Sequence, residues 1–294
     1  MARLDVTETF HGITFPGHLH TQDSLQSALR FPFQDTDILI VSYPKSGTTW
    51  MQEIVTLICN RGDPHVCQTV PNWTRAPWLE QHYCAMVLEK YPLNPRVITT
   101  HLPQHLLEPA LQGSKAKVIY VSRNPKDVVV SYYHFCKMAK FFPDPGSFQD
   151  FLNQFLDGRC ELMKSWQNFF FFNLKVTLAL QSIKSLHFCG KISAFLQRPL
   201  VEEELNSCLK HSSFSSMKNN TMVNCTLISP EIMDHSKGCF MRKGELGNWK
   251  SLFTDEQNQH FESVFSSRMQ DCSLKFVWDV PHENRICNKE GNPN

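Results

Sequence analysis

Asp37-Ile38-Leu39-Ile40-Val41-Ser42-Tyr43-Pro44-Lys45-Ser46-Gly47-Thr48-Thr49-Trp50 is the stretch that decides the fold. It opens on a continuous apolar run rich in β-branched residues, the pattern of a strand buried on both faces. From Thr48 the spacing predicts a helix, with Trp50, Ile54, Leu57 and Ile58 on one stripe. Asn60-Arg61-Gly62-Asp63-Pro64 ends it. Strand, glycine-containing loop and helix, in that order, set successive backbone N–H groups at a helix N-terminus. Such a terminus holds phosphate through its orphan donors and its dipole. Lys45 adds a full positive charge, Ser46, Thr48 and Thr49 add hydroxyl donors, and Gly47 lets the backbone approach an anion closely. The order differs from a Walker A loop, because the lysine precedes the only glycine.

Working outward, Arg96 to Thr100 reads as a second strand, stopped at His101-Leu102-Pro103, and Lys117 to Ser122 as a third. Asn124-Pro125-Lys126-Asp127 opens a helix that runs to about Met138, with proline and an acid suited to a first turn. Strands alternating with helices predict an α/β architecture, a parallel sheet with helices on both faces. Phe148 to Leu156 and Asp255 to Met269 read as helices, Asn168 to Asn173 as a fourth buried strand, and Leu174 to Leu200 as one or two helices. Residues 1–36 read as a loosely ordered arm in which Phe10 to Pro16 suits a short strand or turn, and 281–294 as a disordered polar tail.

The chain has 294 residues, enough for two domains or one large α/β domain with a sizeable core. Apolar residues make up 41% and charged residues 19%, which excludes a disordered chain. Lys+Arg total 29 and Asp+Glu 28, a net charge of +1 that excludes a broadly basic nucleic-acid binder but allows a local basic pocket. The 11 cysteines form no CxxC pair and are odd in number, so reduced thiols are expected rather than a disulfide framework or zinc finger. No apolar stretch approaches a membrane span, and Met1 to Glu8 lacks a signal-peptide core. A soluble protein of the cytosol is the expectation, and the glycosylation triplets at Asn72, Asn219 and Asn224 then read as chance matches.

Three further clusters carry chemistry. Arg123, at a strand end beside a helix start, is placed to clamp a phosphate bidentately, and Ser131 lies two turns along that helix. Arg242-Lys243-Gly244 can wrap an anion from a loop, although alone it reads rather as an ordinary solvated basic turn. His101, at the carboxyl end of a parallel strand, lies on the rim where such sheets bind ligands and is the natural general base. His105 is four residues on, but Pro103 intervenes and no adjacent acid completes a metal set, so no metal is expected. Three basic sites, each beside anion-friendly backbone, suggest a ligand with two phosphate-like groups.

The strings Tyr43 to Trp50, Thr100-His101-Leu102-Pro103, Arg123 to Phe135 and Arg242-Lys243-Gly244 with Gly247, Trp249 and Lys250 resemble the cytosolic sulfotransferases. The resemblance runs from about Phe10 to Asp279. It implies a single α/β domain and PAPS (3′-phosphoadenosine 5′-phosphosulfate) as sulfuryl donor, without a metal. Carried over by motif, Lys45, Ser46, Gly47, Thr48, Thr49 and Trp50 would hold the 5′-phosphosulfate and the adenine edge. Arg123, Ser131, Arg242, Lys243 and Gly244 would hold the 3′-phosphate, and Ser212 and Phe214 would touch the nucleotide. His101 would be the catalytic base, and Lys45 would stabilise the charge on the leaving oxygen. The small residues before His101 and the Phe276-Val277-Trp278-Asp279 string look like the hydroxysteroid (alcohol) branch, implying a small lipophilic hydroxyl acceptor and a place in steroid metabolism. Val70 to Trp73 and Ala76 to Trp78 would wall its pocket. Neither nucleic acid nor membrane is implied as a partner.

The sequence also departs from the family pattern. About a dozen residues are missing after Gly158, and Asn173-Leu174-Lys175-Val176 stand where the family has a tyrosine and acids. Asn248 replaces an aspartate. The family's homodimer motif survives at Lys250 and Thr254 but is changed at Asp255 and Gln259. A second reading is therefore a degenerate member that binds nucleotide or lipid with little or no turnover. A third, a P-loop kinase or NTPase, lacks the Walker order and the metal-holding acid.

Overall fold

The computed structural model describes residues 3–160, 177–179 and 186–270, with Phe276 and Trp278. The expected strand at 168–173, all but the first two residues of the divergent 159–176 segment, and the 281–294 tail lie outside the described residues.

The chain starts with a hairpin rather than a loose arm. Strands β1 (Thr7–Phe10) and β2 (Ile13–Pro16) pair antiparallel. His11 and Gly12 both take positive φ, which is what a two-residue turn matching strand twist requires. Helix α1 (Gln22–Ala28) follows, with a capping box at Thr21 and with Leu25 and Ala28 buried. Burial of Phe10, Ile13 and Phe15 in the main core pins this segment. The expectation of looseness fails because alternation over four residues is too short to stand out from a loop.

The sheet forms as expected. Strands β3 (Ile38–Ser42), β4 (Val97–Thr100) and β5 (Lys117–Ser122) are parallel, and a short β6 (Thr177–Ala179) adds to β5. The order is β4-β3-β5-β6. Thr177–Ala179 lies in a stretch expected to be helical, and pairing with β5 overrides that local pattern. Successive residues of the central strands alternate between two cores. Leu39, Val41, Ile98, Val118 and Tyr120 face one, and Ile38, Ile40, Val97, Ile119 and Val121 the other. That is why the strand sequences are apolar without alternation. Each such side chain contributes roughly 1.5–3 kcal/mol of transfer free energy.

Helix α2 (Thr48–Cys59) follows β3 and packs on the second core, together with α9 (Leu186–Phe195) and α10 (Glu202–His211). Between α2 and β4 run the short helices α3 (His65–Thr69), α4 (Asn72–Arg75) and α5 (Cys84–Lys90). Helix α6 (Gln104–Leu111) follows β4. On the first core lie α7 (Pro125–Cys136), which follows β5, and α8 (Phe148–Leu156). Helix α11 (Phe214–Lys218) and α12 (Asp255–Arg268) complete the described elements. The nine cysteines among the described residues are free thiols. No described helix is long and apolar enough to cross a membrane.

Candidate active site

The register of the sheet builds the site. Val41 of β3 is level with Thr100 of β4, so the loops leaving these two strands emerge side by side. The first is the Tyr43–Gly47 turn. Gly47 takes φ 107° and no side chain caps α2, so the N–H groups of its first turn are left for a ligand. Ser46 and Thr48 are buried, and the Thr48 hydroxyl lies 2.6 Å from that of Ser42. Lys45 sits at φ 66°, and its Nζ lies 4.1 Å from the ring centroids of both Phe135 and Phe240. Burial, with the charges of Arg123 and Arg242 acting the same way, brings the Lys45 ammonium down to about 8.

The second loop presents His101. Its Nδ1 is 2.8 Å from the Ser42 carbonyl, which can only accept, so Nδ1 carries the proton and Nε2 keeps its lone pair. Burial brings the imidazole down to about 4; the Ser42 bond opposes this and the Lys45 charge assists it. The ring is therefore neutral across the physiological range. Trp78 stands beside it, with ring centroids 6.2 Å apart.

The other expected residues come from distant parts of the chain. Arg123 Nη2 donates to the Glu245 carbonyl at 3.0 Å and lies 3.7 Å from Asp127. Arg242 Nη2 donates to Asn248 Oδ1 at 2.8 Å. Burial holds both guanidinium groups below their ordinary range, and Arg242 adds to the effect on Arg123. Gly244 takes φ 65°, and a Cβ there would come within 2.2 Å of the Phe214 ring. This contact fixes the basic loop against α11 and requires glycine. Trp50 Nε1 donates to the Ser212 carbonyl at 2.9 Å, while the Ser212 hydroxyl is turned back to Cys208 at 2.7 Å. Thr49 and Ser131 are half-buried on α2 and α7, and Lys243 is exposed. Of the expected pocket walls, Trp78 meets His101, whereas Asn72 and Ala76 turn into the core.

Comparison with known proteins bears directly on this arrangement. The Sulfotransferase domain family matches residues 35–170 and 188–273. The chain is 41% identical to human sulfotransferase 2B1 over 93% of its length and 77% of that protein. It is also 41% identical to dog sulfotransferase 1A1, over 86% of this chain and 90% of that one. The structure of mouse sulfotransferase SULT7A1 complexed with PAP superposes with a TM-score of 0.73 at 28% identity, covering 91% of this chain and 96% of that one. The chain belongs to the sulfotransferase family. As a sulfotransferase it is a PAPS-dependent enzyme that moves a sulfuryl group to a hydroxyl acceptor. The family match skips residues 171–187, next to the place where the sequence departs from the family pattern.

Sequence reasoning missed two residues that the structure gathers around this candidate site, Asp127 and Glu80. Asp127, read only as a first-turn acid, is buried. It accepts from the Gly247 N–H at 2.8 Å and the Trp249 N–H at 2.9 Å, tying the basic loop to α7. Glu80 is buried and accepts from the His101 backbone N–H and the Thr100 hydroxyl, each at 2.8 Å. The one available signal was a lone acid closing the apolar run Ala76-Pro77-Trp78-Leu79.

Proposed function

We propose that this sulfotransferase acts on the hydroxyl of a small lipophilic acceptor, a steroid or another alcohol, with His101 as base and PAPS held by the three gathered cations. The observation that carries the reading is the grouping of Lys45, Arg123 and Arg242. Each lies within electrostatic reach of another, and the repulsion among them lowers the affinity of Lys45 and Arg123 for their protons. Such a cluster is costly unless a polyanion sits among it. Asp127 lies against Arg123, but its oxygens also serve the Gly247 and Trp249 N–H groups. A ligand with a 3′-phosphate and a 5′-phosphosulfate fits the two ends of the cluster. The uncapped start of α2 with Lys45 serves one, and Arg123, Ser131, Arg242, Lys243 and Gly244 the other. Trp50, Ser212 and Phe214 lie where a nucleotide base would rest.

The chemistry of the protein's own groups follows. His101 Nε2 takes the proton of the acceptor hydroxyl, with Nδ1–H anchored on the Ser42 carbonyl so that the imidazolium stays oriented. PAPS, when bound, supplies the sulfuryl group that the oxygen attacks. Lys45 and the first-turn N–H groups of α2 neutralise the charge that builds on the departing side. Trp78 offers an apolar wall next to the base, suited to a steroid or alkyl alcohol. The cytosol, where PAPS and lipophilic alcohols meet, is the proposed site of action.

Isothermal titration with PAP, followed by an acceptor screen with radiolabelled PAPS, tests this reading. The expected result is binding at micromolar affinity or tighter, weakened about tenfold to hundredfold by Arg242→Ala. Transfer to hydroxysteroids should exceed transfer to simple phenols. A folded protein that ignores PAP contradicts the reading and supports the degenerate alternative, as the family mismatch at 171–187 would then have physical consequence.

A further inference from the structure

Glu80 is a buried carboxylate with no cation on it among the described residues. Its side chain is placed by a short parallel pairing outside the main sheet. Trp78 bridges Thr99, Leu79 N–H donates to the Thr99 carbonyl at 2.7 Å, and Thr99 N–H to the Pro77 carbonyl at 2.8 Å. This lays residues 77–80 alongside the end of β4 and brings the carboxylate level with the turn that presents His101. One oxygen takes the His101 N–H and the other the Thr100 hydroxyl. Thr100 Oγ1 in turn accepts from the Leu102 N–H at 3.0 Å. Glu80 thus holds Thr100 and His101 directly, and Leu102 through the Thr100 hydroxyl. From behind, the Glu80 carbonyl accepts from the Ser24 hydroxyl of α1 at 2.8 Å.

We propose that Glu80 is a positioning residue for the base: it holds the His101 N–H and the Thr100 hydroxyl and so aims the His101 imidazole. The proposal rests on His101 being the base. A consequence for pH dependence follows from hydrogen-bond inventory. Both partners of the carboxylate are donors. When Glu80 gains a proton, both oxygens become weaker acceptors and the new O–H needs an acceptor of its own, so the grip on the two donors loosens. Burial pushes Glu80 up to about 7, against the pull of the hydrogen bonds from the His101 N–H, the Thr100 hydroxyl and its own N–H. His101 is held down to about 4, as is His20, which lies within reach of His101. Burial raises the Tyr83 phenol, and the Cys84 thiol rises to about 12. Arg96, which acts on Cys84, is engaged with Asp37 at 2.8 Å. An acid limb of the rate near neutrality is the expected signature of Glu80, since the base itself is held far below that range.

The test is single-turnover transfer from radiolabelled PAPS, measured from roughly pH 5.5 to 9 for the wild type, Glu80→Gln and His101→Gln. PAP titration of each variant serves as the check on folding. The wild type is expected to lose rate below a midpoint near pH 7. Glu80→Gln should run about tenfold to hundredfold slower, with no limb near neutrality and with PAP affinity within about twofold of wild type. A purely structural role would lower the melting temperature and leave the shape of the profile alone. A Glu80→Gln profile that overlays the wild type, while His101→Gln is inactive, overturns the positioning role and leaves the base assignment standing. His101→Gln with near-normal rate overturns the base assignment instead. If Glu80→Gln does not bind PAP, infrared titration of the carboxyl band in the wild-type protein decides. A buried carboxyl titrating near 7 in step with the rate supports the proposal, and one titrating in the ordinary carboxylate range overturns it.

Discussion

The loops that leave β3 and β4 are neighbours in the same sheet, yet one is built to keep a charge and the other to refuse it. Burial acts on both, taking the Lys45 ammonium down to about 8 and the His101 imidazole to about 4. The lysine remains cationic at neutral pH, lies over two aromatic faces and starts an uncapped helix. The histidine becomes neutral, donates through Nδ1 to a carbonyl and has no carboxylate on its ring. The acid in its neighbourhood, Glu80, holds the main chain instead. One environment thus supplies an anion site and a free base at adjacent strand ends, because the two side chains start from ordinary pKa values on opposite sides of neutrality.

Substitutions can break this contrast. Lys45→Met removes the charge on the charge-keeping side, and the rate of transfer should fall about 10²–10³-fold, read by single-turnover kinetics with radiolabelled PAPS. Asp127→Ala should come next. It frees the N–H groups of Gly247 and Trp249 and unfastens the basic loop, weakening PAP about tenfold or more by calorimetry and lowering the melting temperature by several degrees. Raising the pH separates the two loops without mutation. Lys45 has a depressed pKa, so its positive form is complete well below 8 and is lost as pH rises through about 8. PAP affinity should therefore fall by up to about tenfold per pH unit above that point, while the His101 loop is unaffected. Gly244→Ala should have the smallest effect, a several-fold loss of PAP affinity, because its Cβ must displace the Phe214 ring and its φ is positive. Calorimetry at fixed pH measures it.

What was legible in the sequence was local. The β3–α2 unit can be read from an apolar run followed by a glycine loop, and α7 from Asn124 and Pro125 at its start. The cations were legible because strand ends next to helix starts are where phosphates bind. What was not legible depends on contacts between distant segments. Phe214 matters because Gly244 lies against it, and Trp50 because the Ser212 carbonyl receives its N–H. Glu80 acts on His101 only because residues 77–79 pair with Thr99, which no pattern within that stretch announces. The β1–β2 hairpin was read only in part, as a short strand or turn over Phe10 to Pro16, and β6 was missed, since four-residue and three-residue strands gain their identity from partners.

The most direct test of the account compares sulfuryl transfer from radiolabelled PAPS to a hydroxysteroid by the wild type and by His101→Gln, with PAP binding measured on the same samples. The account predicts transfer by the wild type, a loss of about 10²–10⁴-fold in His101→Gln, and PAP affinities within about twofold of each other. Equal rates for the two proteins, or a variant that loses PAP binding along with activity, would contradict the separation of base from anion site on which the account stands.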